Sequence, residues 1–120
     1  MVKVLVVDDE VEITDFLCRF LSRFKISPDK ANNGIEALEI FDRVKPDWIL
    51  LDIKMPDMDG FELLENIKTK YFFNKVIMIT GREDKESQDK AKQLGARDYI
   101  VKPLDLEELH KKVNNYILKN

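Results

Sequence analysis

The run Trp48-Ile49-Leu50-Leu51-Asp52-Ile53-Lys54-Met55-Pro56-Asp57-Met58-Asp59-Gly60 decides the fold class. Its first four residues are apolar without a break, and the run stops at a carboxylate. A strand with one wet face alternates apolar and polar residues. An unbroken apolar strand is covered on both faces, as in a parallel sheet flanked by helices. The turn Met55 to Gly60 then leads into a helix carrying Phe61, Leu63, Leu64 and Ile67.

The same pattern repeats in both directions. Val2 to Val7 is a first strand, followed by a helix with apolar residues at Ile13, Phe16, Leu17, Phe20, Leu21 and Phe24. Ile26 to Lys30 is a weak second strand, and Pro28 within it predicts an edge position. The next helix carries Ile35, Leu38, Ile40, Phe41 and Val44, with Asn33 as N-cap and Pro46 beyond its end. Val76 to Ile79 is the fourth strand. The segment Asp84 to Leu94 reads as a polar fourth helix whose only apolar residues are Ala91 and Leu94, closed by Gly95 in a left-handed cap. Tyr99 to Val101 is a short fifth strand, and Leu106, Leu109, Val113, Tyr116 and Ile117 mark the last helix. Five βα units are too few for an eight-stranded barrel. The expected fold is therefore α/β, a doubly wound, open, five-stranded parallel sheet with five helices.

Composition agrees. The chain has 120 residues, 44% hydrophobic and 36% charged, with four Gly and four Pro, which is globular and predicts one domain over residues 1–120. The longest apolar runs are four residues, which excludes a membrane span, and no signal peptide opens the chain. A single cysteine, Cys18, excludes an internal disulfide and suits a reducing, cytoplasmic setting. A net charge of −3 without a basic stripe disfavours direct nucleic-acid binding.

In open α/β sheets, ligands bind beyond the C-terminal strand ends. There the chain places Asp8, Asp9 and Glu10 after strand one, Asp52 after strand three, Thr80 and Gly81 after strand four, and Lys102-Pro103 after strand five. A lone Asp after a strand is ordinarily a cap or turn residue. Three carboxylates, a hydroxyl and an ammonium at four neighbouring strand ends form a site. Two carboxylates about 5 Å apart repel by roughly 3 kcal/mol at an effective dielectric near 20. One lysine leaves the cluster negative, so a hard divalent cation is expected, and Mg²⁺ suits a site of few carboxylates and several waters. Asp52 is the candidate nucleophile for an aspartyl-phosphate, with Lys102 and Thr80 facing the transferred oxygens.

The segments Val4-Leu5-Val6-Val7-Asp8-Asp9-Glu10, Leu50 to Gly60, Ile79-Thr80-Gly81, Gly95-Ala96-Arg97-Asp98-Tyr99 and Val101-Lys102-Pro103 together resemble the receiver domain of two-component response regulators, across essentially the whole chain. The resemblance implies a CheY-like, flavodoxin-like sheet of order 2-1-3-4-5. It implies Asp52 as phosphoacceptor, and Mg²⁺ held by Asp9, Asp52 and the Lys54 main-chain carbonyl, with Asp8 acting through water. It implies Lys102 as the phosphate-pairing lysine, Thr80 and Tyr99 as switch side chains, and a cis Lys102–Pro103 bond. The implied function is a signalling switch rather than an enzyme, catalysing only its own phosphotransfer and slow dephosphorylation. Its implied partners are a sensor histidine kinase or phosphotransfer protein and a downstream protein or output domain. The implied output face is helix four, strand five and helix five, which could also serve a phosphorylation-dependent dimer. Lys54 and Arg82 occupy positions expected to modulate dephosphorylation.

Four other readings fit the residues less well. Haloacid-dehalogenase phosphatases need an acid two residues after the nucleophile, where Lys54 stands, and Toprim domains need alternating rather than adjacent acids. A flavodoxin-like carrier would not place Asp8 and Asp9 in its phosphate loop. A pseudo-receiver usually lacks part of the acidic set, which is complete here. Cys18 reads as an incidental thiol, His110 as a structural histidine, and the aromatic run Tyr71-Phe72-Phe73 as packing at the core edge.

Overall fold

The computed structural model describes residues 1–119. Five parallel strands, β1 (Val2–Val7), β2 (Ile26–Ala31), β3 (Trp48–Leu51), β4 (Val76–Thr80) and β5 (Asp98–Val101), stand in the order β2-β1-β3-β4-β5. The helices are α1 (Val11–Leu21), α2 (Gly34–Val44), α3 (Gly60–Tyr71), α4 (Lys85–Gln93) and α5 (Leu106–Lys112). The last of these runs on into a π-helical turn over Val113–Ile117.

Alternation along the strands divides the core in two. Leu5, Val7, Ile49, Leu51 and Met78 face Ala37 and Phe41 of α2, Leu63, Leu64 and Ile67 of α3, and Ala91 of α4. Val4, Val6, Trp48, Leu50, Ile77 and Ile79 face Leu17 and Leu21 of α1 and Leu109, Val113 and Ile117 at the chain's end. Both faces of the central strands are therefore dry, which is why their sequences do not alternate. Pro28 lies in β2, which pairs only with β1, as an edge strand should.

Side-chain caps open α2 to α5, each contributing about 1 kcal/mol. Asn33 caps α2 as expected, accepting the Glu36 N–H at 2.8 Å. Asp59, Asp84 and Asp105 cap α3, α4 and α5 in the same way. Gly95 adopts the left-handed conformation (φ 94°) after α4.

Some boundaries and faces differ from expectation. Phe24 lies beyond α1, because the Ser22 N–H and hydroxyl both bond to the Cys18 carbonyl and close the helix. It still packs on the core, with the exposed His110 ring 5.3 Å away. Ile35 and Leu106, read as members of apolar stripes, are more than half exposed, each in the first turn of its helix. Strand four gains Thr80 and strand five gains Asp98. Tyr71 and Phe73 pack on Phe41, whereas Phe72 is 91% exposed in a left-handed conformation (φ 55°).

Candidate functional site

Register brings the polar strand ends together. Val7 pairs with Leu51, so the residues that follow, Asp8 and Asp52, stand side by side, joined by a hydrogen bond from the Asp52 N–H to the Val7 carbonyl at 3.0 Å. Val101 pairs with Thr80, and the Lys102 N–H donates to the Thr80 carbonyl at 2.8 Å. The Lys102–Pro103 peptide is cis. The Lys102 side chain reaches back to the ends of β1 and β3. Its Nζ lies 2.7 Å from Asp8 Oδ2 and 3.3 Å from Asp52 Oδ2, bridging 94 and 50 residues of sequence.

The two carboxylates are nearly sealed from solvent, Asp8 at 2% exposure and Asp52 at 4%. Asp52 Oδ1 accepts the Ile53 N–H at 2.8 Å, and Asp8 Oδ1 accepts the Glu10 N–H at 2.9 Å. Burial pushes the Asp8 carboxyl above its ordinary value, against the lowering effect of Lys102 and the Glu10 N–H. Burial also works against the charge on Lys102, but its hydrogen bond to Asp8 and the nearby Asp52 and Asp8 charges prevail, and its pKa is raised. The ammonium is thus fixed in its charged form between two acids.

Above this pair lies a cleft lined by Asp9, Glu10, Asp52, Lys54, Thr80, Gly81, Arg82 and Lys102. Asp8 lies buried behind Lys102, and Asp9 stands exposed among the lining residues. Thr80 is fully buried, and its Oγ1 accepts the Arg82 N–H at 3.4 Å. Tyr99 is outside the cleft wall and donates its hydroxyl to the Arg82 carbonyl at 2.6 Å. Carboxylate oxygens of Asp8, Asp9 and Glu10 lie within 4.8 Å of one another. An all-oxygen donor set at such spacing fits a hard divalent ion. Both Asp8 oxygens already accept hydrogen bonds, whereas the Asp9 carboxylate is open to solvent.

A sequence model described as the response regulator receiver domain matches residues 4–114. The chain belongs to this family. It is 34% identical to sporulation initiation phosphotransferase F of Bacillus subtilis, over 96% of this chain and 93% of that protein. It is 36% identical to the regulatory protein AtoC of Escherichia coli, over 90% of this chain but only 23% of AtoC. The chain spans under half the length of several other regulators that it matches. Among solved structures, chemotaxis protein CheY4 of Vibrio cholerae superposes with a TM-score of 0.90 at 31% identity, covering 97% of this chain and 98% of that one. The CheX-CheY-BeF3-Mg+2 complex from Borrelia burgdorferi contains a chain with a TM-score of 0.88 at 32% identity, covering 98% of this chain and 90% of that one. Receiver domains of two-component regulators are signalling domains rather than classical enzymes, and they bind Mg²⁺ at an acidic site. They work with histidine kinases or phosphotransfer proteins on one side and output domains on the other. No helix among the described residues of this receiver domain is long and apolar enough to cross a membrane.

Asp8, Asp9, Asp52, Lys54, Thr80 and Lys102, all singled out from sequence, converge here, and Tyr99 reaches the site through Arg82. Sequence reasoning missed two contributors, Thr14 and Asn32. The Asn32 side chain meets the Asp8 carbonyl. Its signal was slight, a second asparagine ahead of the Asn33 cap.

Proposed function

We propose that this chain is a cytoplasmic, phosphorylation-dependent switch whose phosphoacceptor is Asp52. The observation that carries the reading is Lys102 Nζ, held at 2.7 Å from Asp8 and 3.3 Å from Asp52 on the floor of an open acidic cleft. A phosphohistidine of a sensor kinase or phosphotransfer protein is the donor. An Asp52 carboxylate oxygen attacks phosphorus as the N–P bond breaks. The electron pair stays on the imidazole nitrogen, so the donor histidine is regenerated and Asp52 becomes an acyl phosphate. Lys102 sits where negative charge accumulates, and the Thr80 hydroxyl can turn to donate a hydrogen bond to a phosphoryl oxygen. Asp9, Asp52 and the Lys54 carbonyl would hold Mg²⁺, with Asp8 acting through water, and the ion would supply charge neutralisation at the crowded oxygens.

The readout is conformational. Thr80 ends β4 and Tyr99 lies on β5, on either side of α4, so phosphate at Asp52 acts on both ends of that helix. Only Ser87 and Ala91 of α4 are buried, which leaves it easily repositioned. The face of α4, β5 and α5 then meets a downstream protein, an output domain or a second phosphorylated copy. The domain catalyses its own phosphotransfer and a slow dephosphorylation, and nothing further.

The test is incubation with acetyl phosphate, followed by intact-mass spectrometry with and without Mg²⁺. One phosphoryl group should add to the native chain with Mg²⁺ present and none to Asp52→Asn. Comparable labelling of Asp52→Asn would falsify the assignment.

A further inference from the structure

Asn32 lies between the end of β2 and the Asn33 cap of α2, and its contacts converge on the acidic turn. Its side-chain Nδ2 donates to the main-chain carbonyl of Asp8 at 2.9 Å and to Thr14 Oγ1 at 3.1 Å. Its own N–H donates to Glu36 Oε1 at 3.0 Å. Thr14, on α1, is fully buried and gives its one hydroxyl proton to the Val11 carbonyl at 3.0 Å. The hydroxyl can therefore only accept from Asn32, and so can the Asp8 carbonyl. Two acceptors on one side require the amide nitrogen there, so the orientation of the Asn32 side chain follows from chemistry.

We infer that Asn32, acting with Thr14, is a positioning residue for ion binding by Asp9, an inference that rests on the reading of Asp9 as an Mg²⁺ ligand. The Asp8 carbonyl is part of the rigid peptide plane that leads into Asp9. Holding that oxygen fixes the plane's rotation and with it the direction in which the Asp9 side chain departs. Asp8 is restrained at every other polar group as well. Its N–H donates to the Ala31 carbonyl at 3.1 Å, and its carboxylate accepts from Glu10 and Lys102. Asp9 lies outside strand and helix with an exposed side chain, so its placement is inherited from this peptide. Helix α1 has no side-chain cap of its own at Glu10. The Asn32–Thr14 link ties its first turn to the end of β2 instead. Without the link, the same carboxylates remain, but the turn that aims Asp9 loses its fixed orientation.

Partners that orient metal ligands without touching the ion typically change affinity by ~10–100-fold, and one hydrogen bond at one remove belongs at the low end, ~10-fold. The experiment titrates the native chain, Asn32→Ala, Thr14→Val and Thr14→Ser with MgCl₂ and no phosphodonor. Amide chemical shifts are followed by NMR, and thermal melts in EDTA confirm folding. Asn32→Ala and Thr14→Val should raise the Mg²⁺ Kd about tenfold. Thr14→Ser keeps the hydroxyl and should stay within about twofold of native, well inside that range. A native-like Kd in Asn32→Ala overturns the inference, as does an equal loss in Thr14→Val and Thr14→Ser, which would assign the effect to packing. If Asn32→Ala does not fold, the two Thr14 variants decide. A native chain that binds no Mg²⁺ overturns the site reading and the inference together. Binding by the native chain that Asn32→Ala matches overturns the inference alone.

Discussion

Gly60 links the stability of the fold to the geometry of the phosphoacceptor. It opens α3 directly beneath the end of β3, and its N–H donates to the Ile53 carbonyl at 2.7 Å. A Cβ at this position would lie 2.1 Å from the Asp52 carbonyl oxygen and 2.8 Å from the Ile53 Cα, where ordinary contact begins near 3.4 Å. All the obstructing atoms are backbone, so no side chain can swing aside. Either α3 or the end of β3 must retreat by about 1 Å. Overpacking costs roughly 1–3 kcal/mol, and the rigidity of both partners places Gly60→Ala at the upper end, about 3 kcal/mol. For a domain of this size about 4 °C is lost per kcal/mol, so the Tm should fall by about 12 °C. The displaced backbone carries the Asp52 carboxylate, and a shift of about 1 Å in a reacting group can reduce rate about 100-fold. Gly81, on the rim of the same cleft, is the control, because a Cβ there meets nothing within 4 Å. Gly81→Ala should stay within about 0.5 kcal/mol of native. Differential scanning calorimetry gives the Tm values. Acetyl phosphate labelling, timed well below both transitions, gives the rates. A Gly60→Ala chain that melts within a few degrees of native and labels at the native rate would refute the steric argument.

Acid stability should show the Asp98–Lys112 pair. Burial opposes the Asp98 charge, but hydrogen bonds from Lys112, the Tyr99 N–H and Tyr116 hold its pKa below the ordinary value. Its contribution is therefore complete above the unfolded pKa near 3.9 and lost as pH falls through the lower folded value. Asp98→Asn should cost about 1 kcal/mol at pH 7 and progressively less as pH falls below the unfolded carboxylate value, measured by urea unfolding from neutral to acid pH; a constant difference would contradict the linkage. Lys54 and Arg82 both line the cleft, where their cations can pair with the phosphoryl group and obstruct attacking water. The double variant Lys54→Ala, Arg82→Ala should shorten the phosphate lifetime severalfold, and an unchanged decay would make both residues bystanders. Beryllofluoride with Mg²⁺ should change amide exchange most in residues 81–101, where Tyr99 bonds Arg82 across α4. A change confined to α1 and α2 would place the responsive face elsewhere.

The strand ends were legible because burial on two faces imposes unbroken apolar runs, so the first polar residue after each run marks the rim of the sheet. Asp8, Asp52, Thr80 and Lys102 all fell to that logic. The faces of the first helical turns did not, since Ile35 and Leu106 satisfy the apolar period but stay more than half exposed. Caps were harder still. Asp59, Asp84 and Asp105 look from sequence like any acid in a loop, and only the backbone N–H groups ahead of them reveal their use. Asn32 and Thr14 were out of reach for a different reason. Their hydrogen bond joins positions 18 residues apart, one just past an edge strand and one on a helix, whose relative placement no local pattern encodes.

Pro28 in the outermost strand matters to the protein in bulk as much as to the single molecule. The interior strands are short and rich in Val, Ile and Leu, a composition that recruits like strands wherever an edge lies open. The six-residue rim of β2 is the longer of the two edges, and it carries a proline without a donor beside charged Asp29 and Lys30. An incoming strand would find a broken ladder there and two ions to desolvate. The far rim, β5, is only four residues long. At the concentrations of a crowded cell, or of an overexpressing one, the sheet is therefore a poor template for growth on its long side.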